Sequence, residues 1–375
     1  MKKLLTCIAL SVMMVGCAEK KSETFWLGAD ISGSAGAEKR GADISWVTQL
    51  EKEGYVFYNT SGQMRECTAL MKELGLNAVR LRVWVDPFRW GRRGEPVDST
   101  DNRGLCNKED VLHNALLAKQ QGMEVMVNFH YSDTWADPAH QPIPRAWLGH
   151  SYEQMKEDLK AHTVETLQLL KDNGIEPKWV QVGNETRNGL LWNNKGSEVT
   201  EHMGHSSLDP EQYAGFLDAG YEACKSVFPE TIVIVHLDNG YDQEMYDWNL
   251  GILEKYGTRY DMVGMSLYPY WAATNGFTDA DKVIADCMAN IAHVYERFGK
   301  ESMIVETGAE VVLDDPEKMA ESVRQMEAIA LAARNTEHCH GLFYWNPCCR
   351  PRGYKLGAFD MEGRPTEIMR AFTAK

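Results

Sequence analysis

Short apolar runs alternate with amphipathic stretches along most of this chain. The runs are rich in β-branched residues and carry few polar positions, as parallel strands buried on both faces do. Between them, apolar residues recur at spacings of three and four, which is typical of helices with one buried face. The pattern predicts eight strands, over residues 43–46, 78–84, 124–131, 179–185, 232–238, 262–268, 303–307 and 342–346. It predicts helices over residues 66–74, 108–121, 152–172, 210–227, 243–256, 280–298, 316–333 and 365–372.

Eight strands that alternate with helices favour a closed barrel over an open sheet. A chain of 375 residues is long enough to form such a barrel as one domain, and no Pro- or Ser-rich linker divides it. We therefore predict an α/β protein with a single (β/α)8 TIM barrel over residues 25–375. Active sites of such barrels lie at the C-terminal ends of the strands.

The first strand has two candidates, because the segment GADIS occurs at residues 28–32 and again at residues 41–45. Only one copy can occupy that place in the barrel. The second copy is followed by WVTQLEKEG, a short helical pattern, whereas the first runs into a Gly- and Ala-rich stretch. We expect the second copy to be the first strand and the first copy to extend the N-terminal segment.

The N-terminus has the pattern of an export signal. Lys2 and Lys3 precede an apolar stretch that is too short to span a membrane and that ends just before Cys17. We expect residues 1–16 to be a lipoprotein signal peptide, Cys17 to be the lipidated residue and residues 17–24 to be a tether. The chain would then be exported and held by lipid at the bacterial cell envelope. A soluble secreted protein is the alternative.

Seven cysteines remain outside the signal and its lipidated end. They show neither a CxxC pair nor a Cys/His spacing typical of a metal site, so no metal is predicted. An exported chain permits disulfides, and a bridge from Cys106 to Cys348 or Cys349 stays open. Three cysteines in helical patterns are expected to be buried thiols: Cys67, Cys224 and Cys287.

The formal net charge of −15 argues against nucleic acid as a partner, because an acidic surface repels anionic polymers. Loss of Lys2 and Lys3 with the signal would bring the formal charge to −17. A neutral polysaccharide fits this balance better than a polyuronate. The only membrane contact we expect is the N-terminal lipid, and we expect a monomer.

Two glutamates end predicted strands, Glu185 in WVQVGNETRNGLLW and Glu306 in MIVETG. On the strand count, Glu185 ends the fourth strand and Glu306 the seventh. Two carboxyls that face each other across a barrel rim are what retaining glycoside hydrolysis needs, since one protonates the leaving oxygen and the other attacks the anomeric carbon. A sugar-cleaving enzyme is the leading interpretation.

Eight segments, which include those of the two glutamates, resemble glycoside hydrolase family 53, the endo-β-1,4-galactanases. They are GADIS with QLEKEG, NAVRLRVWVDP, VNFHYSDTWADPAHQPIPRAW, VQVGNETRNGLLW, VHLDNG, SLYPYW, IVET and YWNP, in family order over residues 41–347. The resemblance implies an endo-acting, retaining hydrolase of β-1,4-galactosidic bonds in the galactan and arabinogalactan I side chains of pectin. It implies no cofactor.

The same resemblance implies roles for individual residues. Glu185 is similar to the acid/base of the family and Glu306 to the nucleophile. Arg80 or Arg82, alternate residues of one predicted strand, could donate hydrogen bonds to the nucleophile, and the resemblance favours Arg80. Tyr268 resembles a second donor to the nucleophile, and Asn184 resembles the residue that binds the 2-hydroxyl of the cleaved sugar.

Further sugar contacts are expected from histidine and aromatic side chains at strand ends. His130 and His236 could donate to sugar hydroxyls or orient a carboxylate. Trp135 and Trp345 are the expected stacking platforms. Of the two acids beside Trp135, one would bind an upstream sugar and the other fix the loop; we place Asp133 among the substrate contacts, although the sequence does not separate it from Asp137.

The sequence departs from the family pattern at two places. The residues Trp345-Asn346-Pro347 stand where the family often has WEP, and the stretch after Glu306 lacks the insertion that holds calcium in some relatives. Asp314 and Asp315 are better interpreted as a helix start. A structural calcium ion is therefore not supported by the sequence.

Two other functions are alternatives to a galactanase. Another β-1,4-glycanase such as a β-mannanase would share both glutamates, but the segment HYSDTWADP argues against it. A non-catalytic glycan-binding lipoprotein would be expected to have lost a catalytic carboxylate, and both are present.

Overall fold

Eight parallel strands close into a barrel and follow one another around it in chain order. The computed structural model describes residues 26–30, 47–52, 54–87, 89–90, 96–97, 105–192 and 203–373. The barrel strands are Trp26–Asp30 (β1), Ala78–Val83 (β2), Glu124–Phe129 (β3), Trp179–Val182 (β4), Ile232–Leu237 (β5), Met262–Leu267 (β6), Glu301–Thr307 (β7) and Cys339–Trp345 (β8). Because β1 pairs with both β2 and β8, the barrel has no open edge. The predicted (β/α)8 barrel is confirmed.

Helices cover the outside of the barrel, as the apolar spacing predicted. They are Val47–Lys52 (α1), Cys67–Glu73 (α2), Lys108–Gln120 (α3), Tyr152–Asp172 (α4), Pro210–Val227 (α5), Gln243–Tyr256 (α6), Pro269–Thr274 (α7), Ala280–Phe298 (α8) and Pro316–Asn335 (α9). The last helix, which the sequence predicts over residues 365–372, is observed as the 3-10 helix Glu367–Phe372. The sequence pattern missed α7 and two small hairpins, Phe57–Tyr58 with Met64–Arg65 and Arg89–Trp90 with Pro96–Val97. In the part of the chain that is described, no helix has the length and apolar character needed to cross a membrane.

The expectation that the second GADIS copy forms the first strand is wrong. β1 contains residues 28–30 of the first copy, and Trp26 and Leu27 pair with Gly341 and Leu342 of β8. The residues before each copy explain the choice. Trp26 and Leu27 extend the apolar run, whereas Lys39 and Arg40 at the equivalent positions would bring two charges into the barrel wall. The second copy lies outside the described residues.

The barrel interior has an apolar layer below a polar one. Near the N-terminal ends of the strands, a separate cluster of buried residues fills the barrel: Ala78, Met126, Trp179, Ile234, Met262, Met303, Val305 and Phe343. Since strand side chains alternate, residues two positions further along also point inward. Several of these are polar and fully buried: Arg80, Asn128, Gln181 and His236. The polar layer lies directly beneath the C-terminal ends of the strands.

Side-chain caps fix where the outer helices begin. Ser151 forms a capping box with Gln154 at the start of α4. Asp242 caps α6, and Asp315 caps α9 by accepting a hydrogen bond from the backbone N–H of Lys318. The interpretation of the Asp314-Asp315 pair as a helix start is confirmed.

All seven described cysteines are buried, and none of them forms a disulfide bridge. Cys106 packs with Trp84 and accepts a hydrogen bond from Nη2 of Arg82 at 3.2 Å, whereas Cys348 belongs to the main core. The bridge from Cys106 to Cys348 or Cys349 that the sequence left open is therefore not formed. The predicted signal peptide, Cys17 and tether lie outside the described residues.

Candidate active site

An open groove of about 970 Å³ crosses the C-terminal end of the barrel. Seven of the residues predicted for the site line it: His130, Trp135, Asn184, Glu185, Tyr268, Glu306 and Trp345. They come from five strands and the loops that follow them. The barrel thus brings together residues that are more than 200 positions apart in the sequence.

Glu306 is held from two sides. Nη1 of Arg80 lies 2.8 Å from its Oε1, in an ion pair whose guanidinium is fully buried. The hydroxyl of Tyr268 donates to Oε2 at 3.3 Å. Only 6% of Glu306 is exposed. Both oxygens are therefore oriented before any ligand arrives, by a charge-assisted contact and a hydrogen bond.

Arg80 links the two halves of the site. Besides its ion pair with Glu306, it donates from Nη2 to Oδ1 of Asn184 at 2.8 Å and from Nε to Gln181 at 3.1 Å. The amide nitrogen of Asn184 in turn donates to the carbonyl of Ala136 at 2.8 Å. One buried guanidinium thus fixes the positions of Glu306 and of the residue that precedes Glu185.

Glu185 lies in a tight turn at the end of β4. Its backbone is left-handed, with φ 47° and ψ 54°, and Gly183 two residues earlier has φ 79°. A Cβ at Gly183 would come within 2.5 Å of Thr186, so this turn requires glycine there. A non-glycine residue in the left-handed region is strained and persists only where its surroundings hold it, as happens at functional sites.

A chain of donors runs from His236 to the side chain of Glu185. The backbone N–H of Glu185 donates to Nδ1 of His236 at 3.3 Å, so Nδ1 carries no proton and Nε2 does. Nε2 then donates to Oγ of Ser266 at 2.9 Å, and the Ser266 hydroxyl donates to Oε1 of Glu185 at 2.6 Å. Burial, and then the charge of Arg80, lower the pKa of His236 well below its usual range, which keeps the ring neutral. Because Oε1 is occupied, Oε2 is left to carry a proton.

The pKa of Glu185 is raised well above its ordinary value. Burial is the main cause, followed by the negative charges of Glu306 and Asp238, while the hydrogen bond from Ser266 acts in the opposite direction. A carboxyl in such surroundings stays protonated where an exposed glutamate would have ionised. Glu185 and Glu306 thus have opposed environments, since Glu306 alone of the two is paired with a cation.

Replacement of Ser266 by Ala should move the alkaline limb of the activity profile to higher pH. The serine hydroxyl stabilises the ionised form of Glu185, so its loss raises the pKa of Glu185 further and keeps the acid protonated over a wider range. We expect activity at the optimum to fall by about tenfold, the effect of one lost hydrogen bond to a charged group. The measurement is kcat/KM against pH.

The variant Asp238→Asn should shift the alkaline limb in the opposite direction in the same assay. It removes a negative charge that raises the pKa of Glu185, so the alkaline limb should move to lower pH. If the alkaline limb lies at the wild-type pH in both variants, Glu185 does not govern the pH profile.

Aromatic side chains form one wall of the groove. Trp345 makes edge-to-face contacts with Trp135, at 5.7 Å between ring centroids, and with Tyr354, at 4.8 Å. The guanidinium of Arg82 lies over the ring of Trp135, 3.8 Å from its centroid, in a cation–π contact. Ring faces fixed in this way suit the stacking of pyranose rings.

Three predicted site residues lie outside the groove wall. Arg80 and His236 are fully buried beneath it and act through Glu306 and Glu185. Asp133 accepts hydrogen bonds from the backbone N–H groups of Asp86 and Arg145, at 3.0 and 2.8 Å. This corrects the expectation that Asp133 contacts substrate, because both of its oxygens are used to fix the loop. Asp137 is the acid of that pair which lines the groove.

Two residues of the site were missed by sequence reasoning. Ser266 is a polar residue in the otherwise apolar strand MVGMSL, two positions before Tyr268, and that alternation was an available signal. Asp238, which directly follows β5 in the segment VHLDNG, also lines the groove. Among the described residues, no group of three or more His, Cys, Asp or Glu side chains is placed to hold a metal ion.

Comparison with known families agrees with this geometry. The sequence model described as glycosyl hydrolase family 53 matches residues 39–367. The chain belongs to this family. Among its relatives, an endo-β-1,4-galactanase of Bacillus subtilis is 30% identical over 84% of this chain and 71% of its own length. An uncharacterised protein of Niallia circulans is 34% identical over 74% of this chain and 69% of that protein.

Solved structures of family 53 proteins share the barrel. A fungal β-1,4-galactanase has a TM-score of 0.75 at 25% identity, over 92% of this chain and 98% of that one. The family 53 catalytic domain of Ignisphaera aggregans has a TM-score of 0.73 at 26% identity, with the same coverage. An exo-β-1,4-mannosidase with 17% identity and a TM-score of 0.60 shares the fold alone.

Proposed function

We propose that this family 53 chain is an endo-acting, retaining β-1,4-galactanase, with Glu185 as acid/base and Glu306 as nucleophile. The observation that carries the proposal is the contrast between two carboxyls in one groove. Glu185 has a raised pKa and one free oxygen, whereas Glu306 is ion-paired with Arg80. Relatives named as endo-β-1,4-galactanases support the substrate.

In the first step, Oε2 of Glu185 gives its proton to the glycosidic oxygen as the bond to the anomeric carbon breaks. A carboxylate oxygen of Glu306 forms a bond to that carbon, and the leaving chain departs with a free hydroxyl. In the second step, Glu185 takes a proton from water, which displaces Glu306 and restores the original anomeric configuration. The two carboxyls supply both functions, so the reaction uses no cofactor.

The buried contacts of Arg80 and His236 prepare the site for this sequence. Arg80 orients the anion that attacks, and the chain from His236 through Ser266 keeps one oxygen of Glu185 occupied. Since these groups are in place before substrate binds, little reorganisation is needed in the transition state. Asn184, fixed by Arg80, lies where it can contact the sugar being cleaved.

Internal attack on a polymer is supported by the open groove, since a pocket closed at one end would accept only chain ends. We propose the neutral β-1,4-galactan side chains of pectin, including arabinogalactan I, as the substrate. The acidic chain, with a formal charge of −15, disfavours the polygalacturonate backbone.

Early digests of linear β-1,4-galactan should contain oligosaccharides of mixed length before galactose accumulates. The test runs galactan, β-mannan and carboxymethyl cellulose side by side at matched enzyme concentration and separates the products by size. Galactose as the sole product in the first minutes would contradict internal attack. Faster cleavage of mannan than of galactan would contradict the substrate.

We propose in addition that the chain acts as a monomer, exported and held at the cell envelope by lipid on Cys17, without other membrane contact. The support is the sequence pattern of residues 1–16 and the polar tether after it. In phase separation with detergent, the full-length chain made in bacteria should enter the detergent phase and Cys17→Ala the aqueous phase. Equal partition of the two would contradict the anchor.

A further inference from the structure

Gln181 of β4 lies in the polar layer beneath the groove, between the surroundings of the two glutamates. The residue is fully buried, so it does not reach a sugar in the groove, and the proposed mechanism gives it no role. On one side its amide contacts Arg80, which is ion-paired with Glu306. On the other side it contacts His236, from which the chain of donors runs to Glu185.

Two groups of fixed polarity decide which way the amide of Gln181 points. A guanidinium only donates, and Nε of Arg80 lies 3.1 Å from Oε1 of Gln181. A backbone carbonyl only accepts, and the carbonyl oxygen of Gly183 lies 3.0 Å from Nε2 of Gln181. Nε2 also donates to Oδ1 of Asn128 at 2.7 Å. The opposite orientation would bring two donors together at Arg80 and two acceptors together at Gly183, so the amide nitrogen is held on the side of His236.

Gln181 provides the shortest hydrogen bond to Nδ1 of His236 among the described residues. Its Nε2 lies 2.9 Å from Nδ1, whereas the backbone nitrogen of Glu185 lies 3.3 Å from it. An amide NH2 group only donates, so Nδ1 must accept. Oδ1 of Asn184, 3.2 Å from the same Nδ1, would accept from this nitrogen if it carried a proton. The tautomer therefore depends on Gln181, because the backbone donor alone is opposed by an acceptor at a similar distance.

The tautomer of His236 decides which oxygen of Glu185 carries the proton. With Nδ1 unprotonated, Nε2 donates to Oγ of Ser266 at 2.9 Å, and the single hydroxyl proton of Ser266 goes to Oε1 of Glu185 at 2.6 Å. Oε1 is then an acceptor, and the acidic proton lies on Oε2. With the proton on Nδ1 instead, Nε2 would accept from the Ser266 hydroxyl, and Oγ would accept the acidic proton from Oε1. The acid would then donate to the serine rather than to the leaving oxygen.

We propose that Gln181 is a positioning residue that takes its orientation from Arg80 and holds Nδ1 of His236 unprotonated. Its effect is to place the acidic proton of Glu185 on Oε2, where it is available to the leaving oxygen. One amide thus links the cation that orients the nucleophile to the chain of donors that orients the acid. The inference rests on the proposed function, because that function assigns the role of general acid to Glu185.

Nitrogen-15 NMR of the full chain, labelled in its histidine rings, measures the tautomer directly, and His236→Asn identifies the signals of His236. In the wild type we expect a proton on Nε2 and none on Nδ1. Gln181→Glu keeps an acceptor for Arg80 but places a carboxylate against Nδ1, so Nδ1 should become protonated. Gln181→Met has a similar size and no donor, so the form that donates from Nδ1 to Asn184 should become populated.

The kinetic measurement compares kcat/KM on two substrates that differ in their need for an acid. Galactan requires a proton on the leaving oxygen, whereas the first step on a dinitrophenyl β-galactobioside does not. In Gln181→Met we expect kcat/KM on galactan to fall by about tenfold, the effect of one lost buried hydrogen bond. The value for the dinitrophenyl substrate should stay close to wild type, because Arg80 keeps its contacts with Glu306 and Asn184. General damage to the fold would lower both values alike.

Asn114→Leu is the matched control, since Asn114 is a buried amide of α3, outside the barrel, that donates to the carbonyl of Asp110 at 3.0 Å. It should keep the wild-type tautomer and the wild-type ratio of the two kcat/KM values. If the wild type cleaves neither substrate, the proposed function is overturned and this inference with it. The inference alone is overturned by a proton on Nδ1 in the wild type, by an unprotonated Nδ1 in both Gln181 variants, or by an equal fall of both kcat/KM values in Gln181→Met.

Discussion

Replacement of Glu306 by Ala should abolish the turnover of every substrate. Without the carboxylate no bond forms to the anomeric carbon, whatever the leaving group, and the ion pair with Arg80 at 2.8 Å is lost as well. We expect a fall on the order of 10⁵-fold or more, the scale on which removal of a nucleophile acts. Initial rates on galactan and on a dinitrophenyl β-galactobioside measure it.

Added azide provides the control for Glu306→Ala. The small anion fits the space left by the carboxylate and attacks from the same face, so the product from the dinitrophenyl substrate should be the α-galactobiosyl azide. This result shows that the variant is folded and lacks only its nucleophile. Undiminished turnover of the dinitrophenyl substrate by Glu306→Ala would mean that the two roles are reversed.

The second large effect is expected from Glu185→Ala. Cleavage of galactan should fall by about 10²- to 10⁴-fold, the usual contribution of a general acid, because a sugar hydroxyl leaves poorly without a proton. The first step on the dinitrophenyl substrate should be spared, since that leaving group needs no proton. We expect dinitrophenol release to show a rapid burst followed by slow turnover, because the second step still lacks its base.

Azide distinguishes Glu185→Ala from Glu306→Ala. In Glu185→Ala the azide attacks the glycosyl-enzyme and should yield the β-galactobiosyl azide, with an increase in steady-state rate. If Glu185→Ala shows no burst of dinitrophenol and yields the α-galactobiosyl azide, the assignment of Glu185 as acid/base is contradicted. The matched pair thus tests each glutamate against the other.

The barrel was predictable because its signals are local. Strands buried on both faces leave long apolar runs, and caps such as Ser151 and Asp315 mark helix starts, so most helix bounds agree within one or two residues. The first strand was misassigned because two copies of GADIS look alike. The residues that precede each copy distinguish the two, because Trp26 and Leu27 are apolar whereas Lys39 and Arg40 are charged.

The two glutamates were also predictable, because each ends a strand in a distinctive segment. Their environments were not. The donor chain through Ser266 joins β4, β5 and β6, and it depends on distances across the barrel that no single segment encodes. The same holds for Asp133, whose partners Asp86 and Arg145 belong to other segments of the chain. Sequence showed which residues are near the site, and packing decided which of them reach the groove.

The central claim is that two carboxyls in this groove cleave β-galactosidic bonds with retention of configuration. Proton NMR of a galactan digest, recorded within the first minutes before mutarotation, tests it most directly. The account predicts that newly formed reducing ends appear first as the β-anomer and only later equilibrate with the α-anomer. Reducing ends that appear first as the α-anomer would contradict it.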